Sequence, residues 1–480
     1  MSAAETQDTT MTAAAEAFPV NDAVPESTSD IVLVGDIGGT NTRLQLYLIP
    51  RADTFNEGKG EKAPGTLIKE QQYLNGDFES FDAVLFKFME ASGVKAAPAS
   101  ACFAVAGPVE SNRVQFTNRE WVIDGAKLET TLGIAKVRLI NDFVANGYGL
   151  LTLDEKSECV TLQGSPKVDG APIACIGAGT GLGECFSTAV DTGAPYESYP
   201  SEGGHAEWAP RNELEIELLE FMKAKFNQKH RVSVERVISG PGLATMYEFY
   251  AQRFPEKVIS HVHEAVLAAG EMKGKVISTH ARKNASPHCE LCALVMSTFC
   301  AAYGAEAGVA ALKWIPLGGL YIAGGLTPKN LDLIKGNDSA FMQAFHDKGR
   351  LAPLLKRVPV YAVLAEDIGQ RGAHLVAFRL LREAQKAVVI AKYKDEQPIV
   401  LKAFNKLFSS VKELPITKPL DASAVALVGD VGGTNTRLQL YGLEAGDVQY
   451  ARGRAPGSLL FEKQYLNGDF ESFDAVLFKF

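Results

Sequence analysis

No stretch of the chain reads as the run of about 18 apolar residues that a membrane-spanning helix needs, so no membrane partner is expected. No dense block of Lys or Arg occurs, and the net charge is −9. Such a chain has no general attraction to nucleic acid or to an anionic surface, so neither is expected as a partner. A nucleotide would need a purpose-built site. Residues 1 to 30 hold no Lys or Arg, whereas a transit peptide is Arg-rich and a signal peptide has a basic start and an apolar core. Residues 1–29 therefore read as a disordered tail, and the protein as cytoplasmic. Cysteines number seven, an odd set spread through a long chain, which suits a reducing compartment better than a disulfide framework. The only CxxC, Cys289 and Cys292, has His288 as its sole adjacent soft ligand, and the segment reads as helix. A zinc site would need more. No GxxxxGK[ST] occurs, and Leu182 stands where GxGxxG needs its last glycine, so a P-loop and a dinucleotide fold are disfavoured.

What is present is ordinary globular material, 46% apolar and 22% charged over 480 residues, enough for two or three domain-sized cores. The chain also repeats itself. Leu33 to Tyr47 (LVGDIGGTNTRLQLY) returns as Leu427 to Tyr441 with one change, Ile37 becoming Val431, and Gln72 to Phe88 returns unchanged as Gln464 to Phe480. Solenoids repeat every few tens of residues. Here the interval is the length of a whole catalytic unit, so the expected organisation is one full copy, a linker over 388–420, and an incomplete second copy over 421–480.

Within the first copy, Ile31 to Val34 and Arg43 to Tyr47 read as two strands of a hairpin with a Gly-rich tip. Phe78, Phe81, Leu85 and Phe88 fall on one helical stripe that should pack on the sheet. Further strands are expected at Cys102 to Val105, Val137 to Ile140, Ile173 to Ile176 and Leu320 to Ala323. Long helical patterns run from Asn212 to Phe226, Lys257 to Met272, Glu290 to Lys313 and Gln370 to Ala387. Strands and helices mixed in this way indicate an α/β architecture.

The strand ends carry the chemistry. Asp36-Ile37-Gly38-Gly39-Thr40-Asn41 places a carboxylate at a strand end, then glycines whose bare backbone N–H groups can approach a phosphate, then a hydroxyl. A plain hairpin turn is the competing reading. Gly177, Gly179, Thr180, Gly181 and Gly183 make a second such hairpin, and two are harder to dismiss than one. Gly324 and Gly325 end a third strand, where a flat base could lie, unless they merely cap a helix. Asn141 and Asp142 offer an amide for sugar hydroxyls and a carboxylate for a reacting one; an N-cap is the alternative. Glu202 and His205 lie on a Gly-rich turn, and Glu235 precedes Ser239-Gly240-Pro241-Gly242.

The order, spacing and wording of LVGDIGGTNTRL, FAVAGPV, FTNREW, LINDF, GAGTGLG, SEGGH, ERVISGPGL, YIAGGLTP and RGAHL, from about Ile31 to about Arg382, resemble the bacterial-type glucokinase family. The resemblance implies a two-lobed actin-like ATPase (ribonuclease H-like) fold, α/β with mixed sheets flanked by helices and closing on substrates in a cleft. It implies a small lobe over 30–150, to which a helix over 367–387 returns, and a large lobe over 151–366. It implies that glucose and ATP are the small-molecule partners, that Mg²⁺ is a cofactor, and that a homodimer is a candidate assembly. Asp142 would be the general base, with Asn118, Asn141, Glu202, His205 and Glu235 around the sugar. Asp36 to Asn41 and Gly177 to Gly183 would hold phosphates, and Asp36 would reach Mg²⁺ through water. Another hexose as substrate and a non-catalytic sugar sensor stay open as alternatives.

The second copy keeps the loop Asp430 to Asn435, but nothing up to Phe480 matches Asn141, Asp142 or Glu202. It is not expected to catalyse by itself. A tandem two-copy enzyme is the leading expectation for the complete product, and exchange of this segment with residues 30–88 of another molecule the second.

Overall fold

The computed structural model describes residues 29–51, 60–116, 120–385, 424–431, 435–443 and 458–466. The chain divides into two compact units, Met1–Val388 and Val389–Phe480. Of the expected features, the tail up to residue 28 and the 388–420 linker lie outside the described residues.

The first unit holds two large sheets of the same plan. One has the order Thr66–Leu74, Asn41–Pro50, Ser29–Ile37, Ser100–Val105, Lys136–Asn141. Its first three strands are antiparallel and the last two join in parallel. The other runs Glu197–Ser201, Leu182–Thr188, Ile173–Ala178, Gly319–Ala323, Val360–Val363, and then an added antiparallel strand, Cys159–Gln163. Its first five strands repeat the pattern. The two Gly-rich loops are therefore the tips of equivalent hairpins. Strand formation follows from Val, Ile and Leu runs bounded by Gly, Asn and Asp; the first strand begins at Ser29, one residue inside the expected tail.

Three apolar clusters hold these sheets. Leu33, Ile37, Leu44 and Phe103 face the helix Phe81–Ser92. Ser80 starts that helix by accepting a hydrogen bond from the Ala83 N–H, and Gly93 ends it in the left-handed region, a cap pair worth about 1 kcal/mol at its N-terminal end. The register differs slightly from expectation: Phe78 precedes the helix, and Phe81, Val84, Leu85 and Phe88 form the buried stripe. A central cluster joins Val32, Cys102, Ile140, Cys175 and Tyr321 to the helix over 368–385. The third packs the second sheet under Gly240–Arg253 and Glu290–Trp314.

The helix Asp142–Leu150 spans from one sheet to the other. It leaves the end of Lys136–Asn141, and Phe143 and Gly147 lie against the second hairpin. A Cβ on Gly183 would fall 1.9 Å from the Phe143 ring, and one on Gly147 3.0 Å from Cys185 Sγ. Close packing at these points fixes the carboxylate at the helix start relative to both hairpin tips.

Two expectations are corrected. The helical pattern from Lys257 to Met272 is not one helix: a 3₁₀ turn at Pro255–Lys257 precedes a helix of Ser260–Ala268, and a second turn at Gly270–Met272 follows. Gly270 has φ +53°, a left-handed value that breaks the helix there. And one described helix, Glu290–Trp314, is long and apolar enough to cross a membrane by length and composition. It carries Glu306 within its span and 67% of its most apolar window is buried in this unit, the pattern of a core helix.

The second unit contains an antiparallel sheet of Ala424–Val431, Asn435–Leu443 and Ser458–Leu466. It reproduces the first hairpin's register, Val431 opposite Thr436 as Ile37 is opposite Thr42, and the same register shift, Leu440/Tyr441 against Leu46/Tyr47.

Candidate active site

The tip of the first hairpin is held from outside. Gly38 N–H donates to the Asn41 carbonyl at 2.9 Å, closing the turn. Asn75, fully buried, then clamps it: its N–H donates to the Thr40 carbonyl at 2.8 Å, its Nδ2 donates to the Gly38 carbonyl at 2.8 Å, and its Oδ1 accepts from Thr42 Oγ1 at 2.7 Å. Thr40 is exposed and Gly39 half-buried, so the tip faces outward while its base is fixed. Sequence reasoning missed Asn75. A signal was available, since the block from Gln72 containing it recurs intact near the chain's end.

The second tip is anchored by different means. Gly179 N–H donates to the Gly181 carbonyl at 2.8 Å, and the Gly179 carbonyl accepts from Gly240 N–H at 2.9 Å. A Cβ on Gly179 would meet nothing within 4 Å, so open space lies over this backbone, and Thr180 is exposed. Gly177 and Gly324 abut: a Cβ on Gly177 would lie 3.0 Å from Gly324 N, and one on Gly324, where φ is +78°, 2.4 Å from the Ala178 carbonyl. Tyr303, fully buried, joins them, its hydroxyl accepting from Ala178 N–H at 3.1 Å with the Ala323 carbonyl also at 3.1 Å. The structure thus brings the Gly177–Gly183 loop and the Gly324-Gly325 turn together. Gly325 also stands at the N-cap of Leu326–Lys329, so the capping reading holds for it as well.

Asp142 starts a helix whose next residue, Phe143, packs on Gly177 and Gly183 of the second hairpin, and Asp36 of the first hairpin lies near enough to act on it. Burial pushes the Asp142 carboxyl up to about 6, against hydrogen bonding from Phe143 N–H, and the Asp36 and Glu202 carboxylates raise it further. Three acids from three distant segments therefore share one electrostatic neighbourhood. Asp36 is itself raised by burial, with Arg43 opposing. A carboxylate with its transition near pH 6 is suited to accept a proton at neutral pH.

Asn141 is the N-cap of the helix Asp142–Leu150: its Oδ1 accepts from Phe143 N–H at 2.9 Å and Val144 N–H at 3.2 Å, and its Nδ2 donates to the Gly107 carbonyl at 3.2 Å. One Nδ2 hydrogen remains for a ligand. A cavity of about 400 Å³ runs beside Asn141 and Glu202, lined also by Pro108, Glu110, Arg138 and Ser201. Glu110 and Arg138 were not among the expected site residues. Glu202 precedes and His205 ends a 3₁₀ turn, Gly203–His205, both exposed, with His205 Nε2 3.8 Å from Glu202 Oε2.

Glu235 is not free. Its Oε2 accepts from Leu182 N–H at 3.0 Å and fills the space where a Gly181 Cβ would be, so it braces the second tip. Asn118 lies outside the described residues. Among those residues no group of three or more His, Cys, Asp or Glu is arranged to hold a metal ion.

A family model described as Glucokinase matches residues 33–380. A glucokinase of Nostoc sp. is 40% identical over 361 residues, 73% of this chain and 99% of that protein. A glucokinase of Shigella sonnei is 34% identical, covering 72% of this chain and 96% of its own. Among solved structures, a glucokinase from an Antarctic psychrotroph is similar with a TM-score of 0.57 and 28% identity, over 73% of this chain and 99% of that one. Another, from Balamuthia mandrillaris in complex with glucose, gives a TM-score of 0.57 at 19% identity, over 74% of this chain and 94% of that one, a likeness of fold.

Proposed function

The chain belongs to the glucokinase family, and on that premise we propose that it transfers the γ-phosphoryl group of ATP to the 6-hydroxyl of glucose, with Asp142 as general base. The observation that carries this reading is Asp142 at a helix start that packs through Phe143 on the second Gly-rich hairpin and lies near Asp36 of the first, with its carboxyl pushed up to about 6.

In the proposed reaction the sugar lies where Asn141, Asp142 and Glu202 come near one another, beside the cavity that Asn141 and Glu202 line. Asp142 accepts the proton of the attacking hydroxyl as the oxygen–phosphorus bond forms, and ADP leaves with the electron pair of the broken bond. Glu202 and His205 present a carboxylate acceptor and an imidazole to sugar hydroxyls, and the spare Nδ2 hydrogen of Asn141 supplies a donor. With the Gly38 and Gly179 N–H groups used inside their own turns, the neighbouring backbone N–H groups of Gly39 and Thr180 are the donors for phosphate oxygens, without lysine. The bare space over Gly179 and the outward Thr40 and Thr180 fit such a ligand. Mg²⁺, when bound, would neutralise phosphate charge, with Asp36 as the nearest carboxylate of the first tip and most of its shell supplied by phosphate and water. The Asp36 carboxyl, raised by burial, would be favoured as the anion by a nearby cation.

All seven cysteines are free, which supports a reducing cytoplasmic setting. A coupled assay over a panel of hexoses and nucleotide donors tests the reading. Glucose with ATP should give the highest kcat/KM; a higher value for mannose, fructose or glucosamine, or glucose binding without turnover, would overturn it. Light scattering on the same preparation reads whether it acts as a homodimer.

A further inference from the structure

The turn that carries Glu202 and His205 rests on a buried acid that the mechanism does not use. Glu184 lies on the strand Leu182–Thr188, directly opposite Ser201 in the ladder. It is 1% exposed, and neither carboxyl oxygen has a hydrogen-bond partner among the described residues. Its position is tight against the turn. A Cβ on Gly203 would fall 2.0 Å from Glu184 Oε2 and 2.6 Å from its carboxyl carbon, so the carboxyl group occupies the space a side chain at 203 would need. Gly204 is pressed on the same strand, its would-be Cβ 2.1 Å from the Leu182 carbonyl. Ser201 Oγ accepts from Gly203 N–H at 3.0 Å, and Ala206 N–H donates to the Gly203 carbonyl at 2.9 Å. The turn is therefore shaped by what lies under it.

Charged groups reach this place from each element packed on it. The helix Glu290–Trp314 contributes Glu306, 8% exposed with Oε1 unpartnered among the described residues, and Lys313. Beyond the helix Ala340–His346, Lys348 acts on Glu306 while its Nζ donates to the Ala344 carbonyl. The hydroxyl of Tyr303 and the thiol of Cys185 are further titratable neighbours. Neither lysine donates to Glu184, so a charge on it would have only the distant attraction of Lys313 and no hydrogen bond among the described residues. Burial, followed by the Glu306 carboxylate, pushes the Glu184 carboxyl up to about 8, with Lys313 opposing. At neutral pH it is predominantly an acid, not an anion.

We propose that Glu184 is a positioning residue for sugar binding: its neutral carboxyl group packs beneath Gly203 and holds the Glu202–His205 turn in place, and ionisation of that group loosens the turn and weakens binding of glucose. The physical reason is that a buried carboxylate without donors is costly, whereas the neutral acid is tolerated. The cheapest relief for the anion is movement of the turn above it, which lets water in. The inference rests on the reading of Glu202 and His205 as sugar ligands.

The test measures KM for glucose and kcat from pH 6.5 to 9.5 in the full chain, the Glu184→Gln variant and the Glu306→Gln variant. If only the neutral form holds the turn, KM at pH 9 should be about tenfold that at pH 7, because the competent fraction falls by that factor. Glu184→Gln keeps the shape and cannot ionise, so its KM should stay flat across the range. Glu306→Gln removes a neighbouring charge, so its rise should begin at lower pH. A flat wild-type KM with glucose turnover intact overturns this inference alone, as does a Glu184→Gln profile that rises like the wild type. No glucose turnover at any pH overturns the sugar reading and this inference with it.

Discussion

Replacing Asp142 by Asn tests the base and its environment together. The carboxyl titrates at about 6 because it is buried and because Asp36 and Glu202 lie nearby. Only the ionised form accepts a proton. With a transition at 6, about one molecule in eleven is competent at pH 5 and about ten in eleven at pH 7, so kcat/KM should fall roughly tenfold between them. A carboxylate at the ordinary value of 3.8 would lose less than about a tenth over the same interval. The acid limb therefore reports the burial directly. Asp142→Asn should lower kcat by about 10²–10⁴ and abolish the limb, while glucose binding, followed by tryptophan fluorescence, persists. Asp36→Asn removes one like charge, so the limb that remains should move to lower pH even as turnover drops. Stopped coupled assays at fixed ionic strength read all three. Turnover retained in Asp142→Asn, or an acid limb unchanged by it, would refute the assignment of the base.

Asn75→Ala strips two side-chain hydrogen bonds from the base of the first tip while the backbone N–H to Thr40 stays, and should raise the KM for ATP about tenfold with that for glucose little changed, as about 1–3 kcal/mol per stranded buried group implies; equal ATP kinetics would remove Asn75 from the site. Tyr303→Phe leaves the buried Ala178 N–H without its acceptor and should lower unfolding free energy by about 1–3 kcal/mol in urea and weaken ATP, leaving the Asp142 acid limb in place. An unchanged urea midpoint would count against the hub. Gly324→Ala meets both a left-handed backbone and the Ala178 carbonyl, so thermal unfolding should shift down by several degrees for a loss of about 2 kcal/mol or more; a Tm equal to wild type would show that this contact relaxes freely. Glu184→Gln should melt higher than wild type at pH 8.5, with the difference shrinking as pH falls toward 4.5. The sign follows from a carboxyl raised in the folded state, which binds its proton more tightly than the unfolded chain and so loses stability as pH rises through the interval.

Both glycine-rich tips were legible because each interrupts two short apolar runs, a pattern with a local cause. Asp142 was legible for the same reason, at the junction of a strand and a helix. Asn75 was not, because its partners Gly38, Thr40 and Thr42 lie more than thirty residues away and nothing local marks it. Glu184 was hidden in a strand of apolar residues, where a lone acid reads as solvent-facing; only its pairing with Ser201 and the approach of Glu306 place it inside. Tyr303 falls on a helix whose every face is apolar, so periodicity could not single out its hydroxyl. Glu235 illustrates a different limit. Its segment was identified, but its side chain braces Leu182 N–H, a contact set by how the turn after Val232 meets the hairpin.

The repeated hairpin separates what a loop owes to its own sequence from what it owes to its surroundings. Residues 424–431 and 435–443 reproduce the strand register of Ser29–Ile37 and Asn41–Pro50, and the shift at Leu440/Tyr441 matches that at Leu46/Tyr47. Even the side-chain contact from Tyr47 Oη to Gln45 recurs from Tyr441 to Gln439, at 3.3 Å in each. The differences between the copies, Ile37 to Val431 among them, do not disturb this, so the hairpin's geometry is set within its own strands. Its chemistry is not. In the first unit Asp36 is buried, balanced against Arg43, and close enough to raise Asp142. The Arg43 balance lies within the hairpin itself, whereas the effect on Asp142 needs the helix start that follows Lys136–Asn141 and adds to that of the Glu202 turn. A glycine-rich motif of this kind therefore marks a fold at the level of one hairpin, while the proposed catalytic role attaches to the Asp142 carboxylate, which the last strand of the same sheet brings near it.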